Sequence, residues 1–275
     1  MRTAELIQQA YLHNSFCSFI IIGPQGCGKT SLALWTGYYV YRSWEEALKY
    51  LFFQVDPVIE LFEKCLDKRK RIPLIVVDDS GVWLNKLRWF EEDVKRFVEF
   101  YNLSRTVCAS MIFTSIDENL PRRLLRTIWF RVLPRFASLE EVKQFYSLHN
   151  ISFEKIQQQL ETWGVNPNIW CYGALYKLKT LPSFMQRVLK DRGIFYPLHY
   201  PRHVLKAYEE KRYQATQLAL ERLKESRQKP SKNKEKVKLI RKLFLKGFNI
   251  EEIADLLDSS PSEVRRAIQI ATSIE

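Results

Sequence analysis

The segment GPQGCGKT at residues 23–30 limits the fold of this chain more than any other segment. It satisfies the pattern GxxxxGK[ST], and it lies between the apolar run Phe19–Ile22 and a helical stretch from Thr30 to about residue 42. Glycines allow backbone amides to turn inward, and the start of a helix adds partial positive charge. A strand, this loop and a helix in succession predict a phosphate-binding P-loop in an α/β protein, rather than a chance glycine turn.

Different residues of the loop are expected to bind the phosphates and the metal ion. We expect Lys29 to reach the β- and γ-phosphates and the Thr30 hydroxyl to ligate Mg²⁺, so ATP and Mg²⁺ are the expected cofactors. The residues expected to contact the nucleotide are Gly23, Pro24, Gln25, Gly26, Cys27, Gly28, Lys29, Thr30 and Ser31.

Two aspartates follow the apolar run Leu74–Val77. Asp78 stands where a Walker B carboxylate would bind the metal through water. Asp79 occupies the position at which many ATPases of this class place a glutamate that orients the attacking water. Since aspartate is one methylene shorter, two roles stay open for it: positioning the water, or capping the turn before Gly81.

Thr114 and Ser115 end another apolar run, which begins at Ser110. In an inserted-strand ATPase sheet, such a strand lies between the strand before the P-loop and the strand before Asp78, so that place is expected here. A polar side chain at its end would contact the γ-phosphate or the water, or would only make a strand-end hydrogen bond.

Three arginines on a short predicted helix are candidate arginine fingers: Arg122, Arg123 and Arg126. An arginine presented to a neighbouring subunit's ATP would stabilise charge that develops in phosphoryl transfer. For each of the three, the alternative is a solvated basic face.

Apolar runs and helical stretches alternate over residues 1–135. Because buried parallel strands have continuous apolar sequences, this alternation predicts an α/β P-loop core with a mainly parallel, five-stranded sheet. The predicted strands cover residues 19–22, 51–55, 74–77, 110–114 and 128–133. After Pro134 the pattern predicts helices only, and Ser138 followed by Glu140 and Glu141 indicates a helix start. Residues 136–225 are therefore expected to form a helical lid. Residues 226–275 are expected to form a basic linker and a DNA-binding helix-turn-helix.

The C-terminal residues carry the DNA prediction. Helical periodicity at 234–246, at 250–257 and from Ser260 onward matches a helix-turn-helix, whose last helix would enter the major groove. The side chains expected to point outward there and contact DNA are Ser262, Arg265, Arg266 and Gln269. A net charge of +12 suits a polyanionic partner, although a small helical protein-interaction module remains the alternative.

Cysteine usage and hydropathy indicate the compartment. The five cysteines include no CxxC pair, which argues against a disulfide framework or a zinc site. No signal peptide or membrane-spanning run is visible, so we expect a cytoplasmic protein without a membrane partner.

Together these segments resemble the AAA+ ATPases of the DnaA-like initiator and loader group, and the layout is similar to ATPases of archaeal fuselloviruses and plasmids. The resemblance covers about residues 15–180 and rests on GPQGCGKTS, LIVVDDS and MIFTS. It also includes a weaker match at 173–177, with Lys177 where a sensor 2 arginine is usual, and this match implies that Lys177 contacts the bound nucleotide. The resemblance implies assembly of a homo-oligomer on double-stranded DNA, an arginine finger acting between subunits, and a replicative helicase as partner.

These observations predict an ATP-dependent DNA-binding ATPase that acts in replication initiation or helicase loading. An ATP-switched DNA-binding transcriptional regulator and a DNA motor or packaging ATPase are the alternatives. A Ras-type GTPase is disfavoured because residues 85–88 lack the aspartate of the guanine-reading motif. A small-molecule kinase would leave the C-terminal residues unexplained.

Overall fold

The computed structural model describes residues 1–85, 91–162, 170–180, 185–195, 200–228, 239–240, 242–256, 261–262, 264–265 and 268. The chain divides into two compact units, Met1–Arg212 and Tyr213–Glu275.

The first unit contains a seven-stranded sheet with the order β2-β3-β4-β1-β5-β6-β7. Its strands are β1 (Cys17–Ile22), β2 (Leu51–Phe52), β3 (Ile72–Val77), β4 (Cys108–Ser115), β5 (Phe130–Phe136), β6 (Cys171–Thr180) and β7 (Met185–Phe195). The pairs among β1 to β5 are parallel, whereas β5 with β6 and β6 with β7 are antiparallel.

The described residues include twelve helices, besides shorter helical pieces after residue 238. They are α1 (Arg2–Leu12), α2 (Lys29–Tyr41), α3 (Trp44–Lys49), α4 (Asp56–Asp67), α5 (Ser80–Trp83), α6 (Glu92–Asn102), α7 (Ser104–Val107), α8 (Arg122–Thr127), α9 (Leu139–Leu148), α10 (Phe153–Thr162), α11 (Arg202–Gln228) and α12 (Ile250–Leu256). Helix α11 begins in the first unit and extends past its last residue, Arg212. None of the described helices is long and apolar enough to cross a membrane.

The burial pattern explains why the parallel strands could be read from the sequence. Every residue of β4 is buried, and β1 and β3 are almost as fully covered. Strands covered on both faces need apolar residues at successive positions, which produces the continuous runs seen in the sequence. The predicted α/β class with a mainly parallel sheet is therefore confirmed, and so is the predicted place of β4 between β1 and β3.

The prediction of a five-stranded sheet followed only by helices is wrong. Residues 136–225 contain α9, α10, the antiparallel strands β6 and β7, and most of α11, so this stretch is not an all-helical lid. In β6 and β7, polar and charged residues interrupt the apolar ones, as expected of antiparallel strands near a sheet edge. Such strands lack the continuous apolar run by which the other five were recognised.

The start of α9 shows a local prediction that is confirmed. Ser138 accepts a hydrogen bond from the Glu141 backbone N–H, and the Glu141 carboxylate accepts one from the Ser138 N–H. This reciprocal capping box satisfies two amide donors that the helix itself leaves without acceptors.

The second unit has its own small apolar cluster, formed by Ile240, Ile253, Ala254 and Val264. Residues 239–240 and 242–245 are helical, and Gly247 follows with a φ of 90°. Asn249 and Glu252 cap the start of α12 through reciprocal hydrogen bonds of 2.8 and 2.9 Å. Residues 257–260, which include the predicted start of the last helix at Ser260, lie outside the described residues.

A close approach at Gly23 leads to a stability prediction. A Cβ added at Gly23 would lie 2.5 Å from the Pro134 carbonyl oxygen and 2.8 Å from the Cys27 sulfur. We expect Gly23→Ala to lower the free energy of unfolding by about 1–3 kcal/mol, because the backbone must shift to relieve the overlap. Urea denaturation followed by circular dichroism measures the change.

Gly193→Ala is the matched control, because no described heavy atom beyond Gly193 and its two chain neighbours lies within 4 Å of the added Cβ there. Equal stability of the two variants would contradict the packing described at Gly23.

Candidate functional site

The loop between β1 and α2 is built on two left-handed glycines. Gly26 has a φ of 82° and Gly28 a φ of 79°, and Gly28 immediately precedes the helix. Glycine adopts this conformation without a steric cost. The first amides of α2 have no acceptor within the helix, so this loop presents N–H donors to an anion.

Lys29 lies inside this loop. Its side chain is only 8% exposed, and the ammonium donates hydrogen bonds of 2.8 Å to the carbonyl oxygens of Gly23 and Pro24. A positive charge is therefore held among the backbone groups of the loop, in addition to the partial charge of the helix start.

Asp78 follows β3 and is completely buried. Three hydroxyl groups donate to its carboxylate. Thr30 Oγ1 lies 3.1 and 3.0 Å from the two oxygens, Thr114 Oγ1 donates to Oδ1, and Tyr208 Oη lies 3.1 Å from Oδ2. Helix α2, strands β3 and β4, and helix α11 thus meet at one carboxylate.

Burial raises the pKa of the Asp78 carboxyl, and the neighbouring charge of Asp79 acts in the same direction. Hydrogen bonds from Thr114, Thr30 and Tyr208 oppose the shift because they stabilise the ionised form. The described residues contain no cluster of three or more His, Cys, Asp or Glu side chains that would form an all-protein metal cage. One carboxylate beside one hydroxyl fits Mg²⁺, which commonly keeps several waters and takes other oxygens from substrate phosphates.

Asp79 has a left-handed backbone, with a φ of 48°. Its N–H donates a 2.9 Å hydrogen bond to Thr114 Oγ1, and its carboxylate lies 3.6 Å from Nη2 of Arg212. The backbone oxygen also accepts a 2.9 Å bond from the Val82 N–H in the turn that starts α5. Asp79 therefore belongs to that turn, and its partly exposed carboxylate faces a cation.

Thr114 and Ser115 make different contacts. The Thr114 hydroxyl donates to Asp78 and accepts from the Asp79 amide, so it fixes the two aspartates relative to each other. The Ser115 carbonyl accepts a 3.3 Å bond from the Gly23 N–H, and its hydroxyl faces Gly81, where an added Cβ would lie 2.8 Å away. The end of β4 thus contacts both the loop and the segment after Asp78.

Helix α11 and the residue Tyr200 shortly before it supply contacts that the sequence did not predict. Tyr200 Oη lies 2.8 Å from the hydroxyl of Ser31, and burial raises the pKa of this phenol. Lys211 donates to the carbonyl oxygens of Leu48 and Leu51 at 2.6 and 3.4 Å. The four-residue spacing of Tyr208 and Arg212 indicates a shared helix face, but no sequence signal connects that face to Asp78.

The expected position of Lys177 is wrong. Lys177 pairs with Phe130 at the start of β5, and Phe130 in turn pairs with Phe19 of β1. The loop begins four residues after Phe19, which corresponds to about 13 Å along a strand. The Lys177 ammonium instead lies 5.8 Å from the ring centroid of Trp129, so Lys177 is not among the loop residues.

The candidate finger arginines and two of the candidate DNA contacts lie at the surface. Arg122, Arg123 and Arg126 are exposed on α8, while Leu124 of the same helix is buried. Ser262 and Arg265 are also exposed, whereas Val264 between them is buried. The other two predicted DNA contacts, Arg266 and Gln269, lie outside the described residues.

Comparison with known proteins finds viral relatives. The chain is 36% identical over 121 residues to the uncharacterized protein B-251 of Sulfolobus spindle-shape virus 1, a match that covers 41% of this chain and 48% of the relative. It is 33% identical over 121 residues to the uncharacterized protein ORF286 of Acidianus two-tailed virus, covering 42% and 41%. The chain thus spans less than half the length of these curated relatives. No family model matches it.

The role of Thr114 leads to a second prediction. Thr114→Val keeps the shape of the side chain but leaves Asp78 with one donor fewer and the Asp79 N–H without its acceptor. We expect a loss of about 1–3 kcal/mol in the free energy of unfolding, measured by urea denaturation.

Thr114→Ser retains the hydroxyl and is the control. Wild-type stability in the valine variant would contradict the assigned hydrogen bonds.

Proposed function

We propose that this chain is a P-loop ATPase that binds DNA. The observation that carries the proposal is the convergence of Lys29, Thr30 and buried Asp78 where β1 and β3 end. The parallel strand order, with β4 between β1 and β3, supports the same conclusion because it brings polar residues from three strand ends to one edge.

The roles follow from the positions of the groups. The amides at the start of α2 would hold the phosphates of ATP, and Lys29 would turn from the carbonyls of Gly23 and Pro24 toward them. Thr30 and Asp78 would hold Mg²⁺, which neutralises charge on the β- and γ-phosphate oxygens. Asp79, next to Asp78 and partly exposed, is the residue that would orient the attacking water.

We expect a single subunit to hydrolyse ATP slowly. The Asp79 carboxylate is short and lies beside Arg212, so it must leave this pair before it can accept a hydrogen bond from water. An arginine from another subunit would stabilise the transferring phosphate. Exposed Arg122, Arg123 and Arg126 could serve a neighbouring copy, which supports the proposal of a homo-oligomer.

DNA is the proposed partner of the second unit. The net charge of +12 and the exposed Arg265 beside the apolar cluster support a helix-turn-helix docked on double-stranded DNA. The proposed process is replication initiation or loading of a replicative helicase, as in the AAA+ initiator group that the sequence resembles. The two viral relatives support the proposal that the protein itself is viral.

A regulator that uses ATP only as a switch is the second candidate. The Asp79–Arg212 ion pair favours it, because a carboxylate engaged with a cation is a poor partner for the attacking water. Tight ATP binding with negligible turnover, both with and without duplex DNA, would distinguish the switch from the ATPase.

The variant Lys29→Ala tests the nucleotide site. We expect it to lose ATP binding, and with it turnover, because it removes the one lysine side chain that lies inside the loop. Titration with a fluorescent ATP analogue and a steady-state phosphate-release assay measure the two effects.

Lys64→Ala is the matched control, since Lys64 is 69% exposed on α4 and pairs with Glu60 of the same helix. Circular dichroism checks that both variants fold. Unchanged ATPase activity in Lys29→Ala would rule out the mechanism.

The variant Arg265→Ala tests the DNA interface. We expect about 5- to 100-fold weaker binding to duplex DNA if Arg265 contacts a base, and a smaller loss with a reduced salt dependence if it contacts phosphate. Fluorescence anisotropy at several salt concentrations separates the two cases.

Arg96→Ala removes an equal charge from an exposed position on α6 and serves as the control. Equal affinities of the two variants would place the DNA contacts elsewhere.

A further inference from the structure

Residues 204–212 of α11, about two and a half turns, include side chains that contact the proposed nucleotide site and the chain around β2. Val204 and Tyr208 are buried, Lys211 donates to two carbonyl oxygens around β2, and Arg212 pairs with Asp79. Through Tyr208 and Arg212, this part of the helix therefore contacts the carboxylates of both Asp78 and Asp79.

The hydrogen bonds at Asp78 show why this contact bears on metal loading. A carboxylate has two oxygens and about four lone-pair sites. Thr30 approaches both oxygens, Thr114 donates to Oδ1 and Tyr208 donates to Oδ2. A magnesium ion or one of its waters needs one of these sites, and the Thr30 hydroxyl must turn its oxygen toward the metal. Each hydroxyl that still donates to the carboxylate stabilises its metal-free form and so opposes binding of the metal.

Tyr208 is the donor that can leave. Thr30 and Thr114 belong to the loop helix and to a central strand, whereas Tyr208 comes from a helix that follows the sheet in sequence. Its phenol is 6% exposed and packs near Phe53, with 5.8 Å between the ring centroids. A buried hydroxyl that loses its acceptor costs free energy, so the helix face would move to find another partner or water.

We propose that α11 senses loading of the metal–nucleotide site, with Tyr208 and Arg212 as its contacts. In one state Tyr208 holds Asp78 and Arg212 holds Asp79. In the other state, Asp78 binds the Mg²⁺ of a magnesium–nucleoside triphosphate complex. The hydrogen bond from Tyr208 to Asp78 is then broken, and the helix face around Tyr208 is free to move. This inference rests on the proposed nucleotide site, and it adds competition between a side chain and the metal for one carboxylate.

The variant Tyr208→Phe in the full chain tests the competition. Removing one donor hydroxyl that opposes loading should tighten binding of Mg²⁺–ATP about fivefold, equivalent to one hydrogen bond of about 1 kcal/mol. Binding of ATP in EDTA should stay unchanged, because no metal then competes for Asp78. A purely structural role of Tyr208 would alter both affinities alike. Tyr213→Phe, which removes an exposed hydroxyl from the same helix, is the matched control and should alter neither affinity.

Hydrogen exchange on the wild-type protein gives a readout that needs no variant. Amides in residues 202–212 should exchange faster with Mg²⁺–ATP than with ATP in EDTA, because release of Tyr208 loosens this part of α11. Because it uses the wild-type protein, this measurement tests the sensing role of α11 even if Tyr208→Phe fails to fold.

The outcomes separate the inference from the function on which it rests. A wild-type protein that binds no ATP overturns both. A wild-type protein that binds Mg²⁺–ATP without any change in exchange at 202–212 overturns the sensing role alone. A folded Tyr208→Phe variant with wild-type Mg²⁺–ATP affinity also overturns the sensing role and leaves the nucleotide site standing.

Discussion

The hydrogen bonding of the buried Asp78 carboxylate is the interaction on which the candidate site depends. A carboxylate without solvent contact is costly unless hydrogen-bond donors surround it. Here the donors come from three separate parts of the chain: Thr30 after the loop, Thr114 at the end of β4, and Tyr208 on α11. Satisfying this one group therefore fixes the distance between the start of α2 and the ends of two strands.

The parallel order of the strands makes this meeting possible. Strands β3, β4 and β1 are neighbours and run in the same direction, so residues that follow them share one edge of the sheet. The antiparallel strands β6 and β7 extend the sheet beyond β5, on the side away from β3 and β4. These two strands change the surroundings of the loop between β1 and α2. Pro134 of β5, which lies close to Gly23 of the loop, also pairs with Gly173 of β6. The loop therefore rests against a mixed sheet rather than against a parallel edge strand.

Sequence reasoning succeeded where the chemistry was local. Continuous apolar runs marked the five parallel strands, and the spacing of Ser138 and Glu141 marked the start of α9. It failed for β6 and β7, whose mixed composition gives no continuous run, and it placed Lys177 in the site because a short match carries no information on strand register. The role of Tyr208 was also missed, because its contact with Asp78 joins residues 130 positions apart in the chain. Periodicity reports which side of a helix is covered, but not what covers it.

The spacing of Tyr208 and Arg212 on α11 has a mechanical consequence. At about 1.5 Å per residue, the two residues lie about 6 Å apart along the helix axis, which is close to one turn. Their partners, Asp78 and Asp79, are consecutive in the chain. One turn of helix therefore spans two adjacent carboxylates, so a rotation of this turn about the helix axis would lengthen both contacts together.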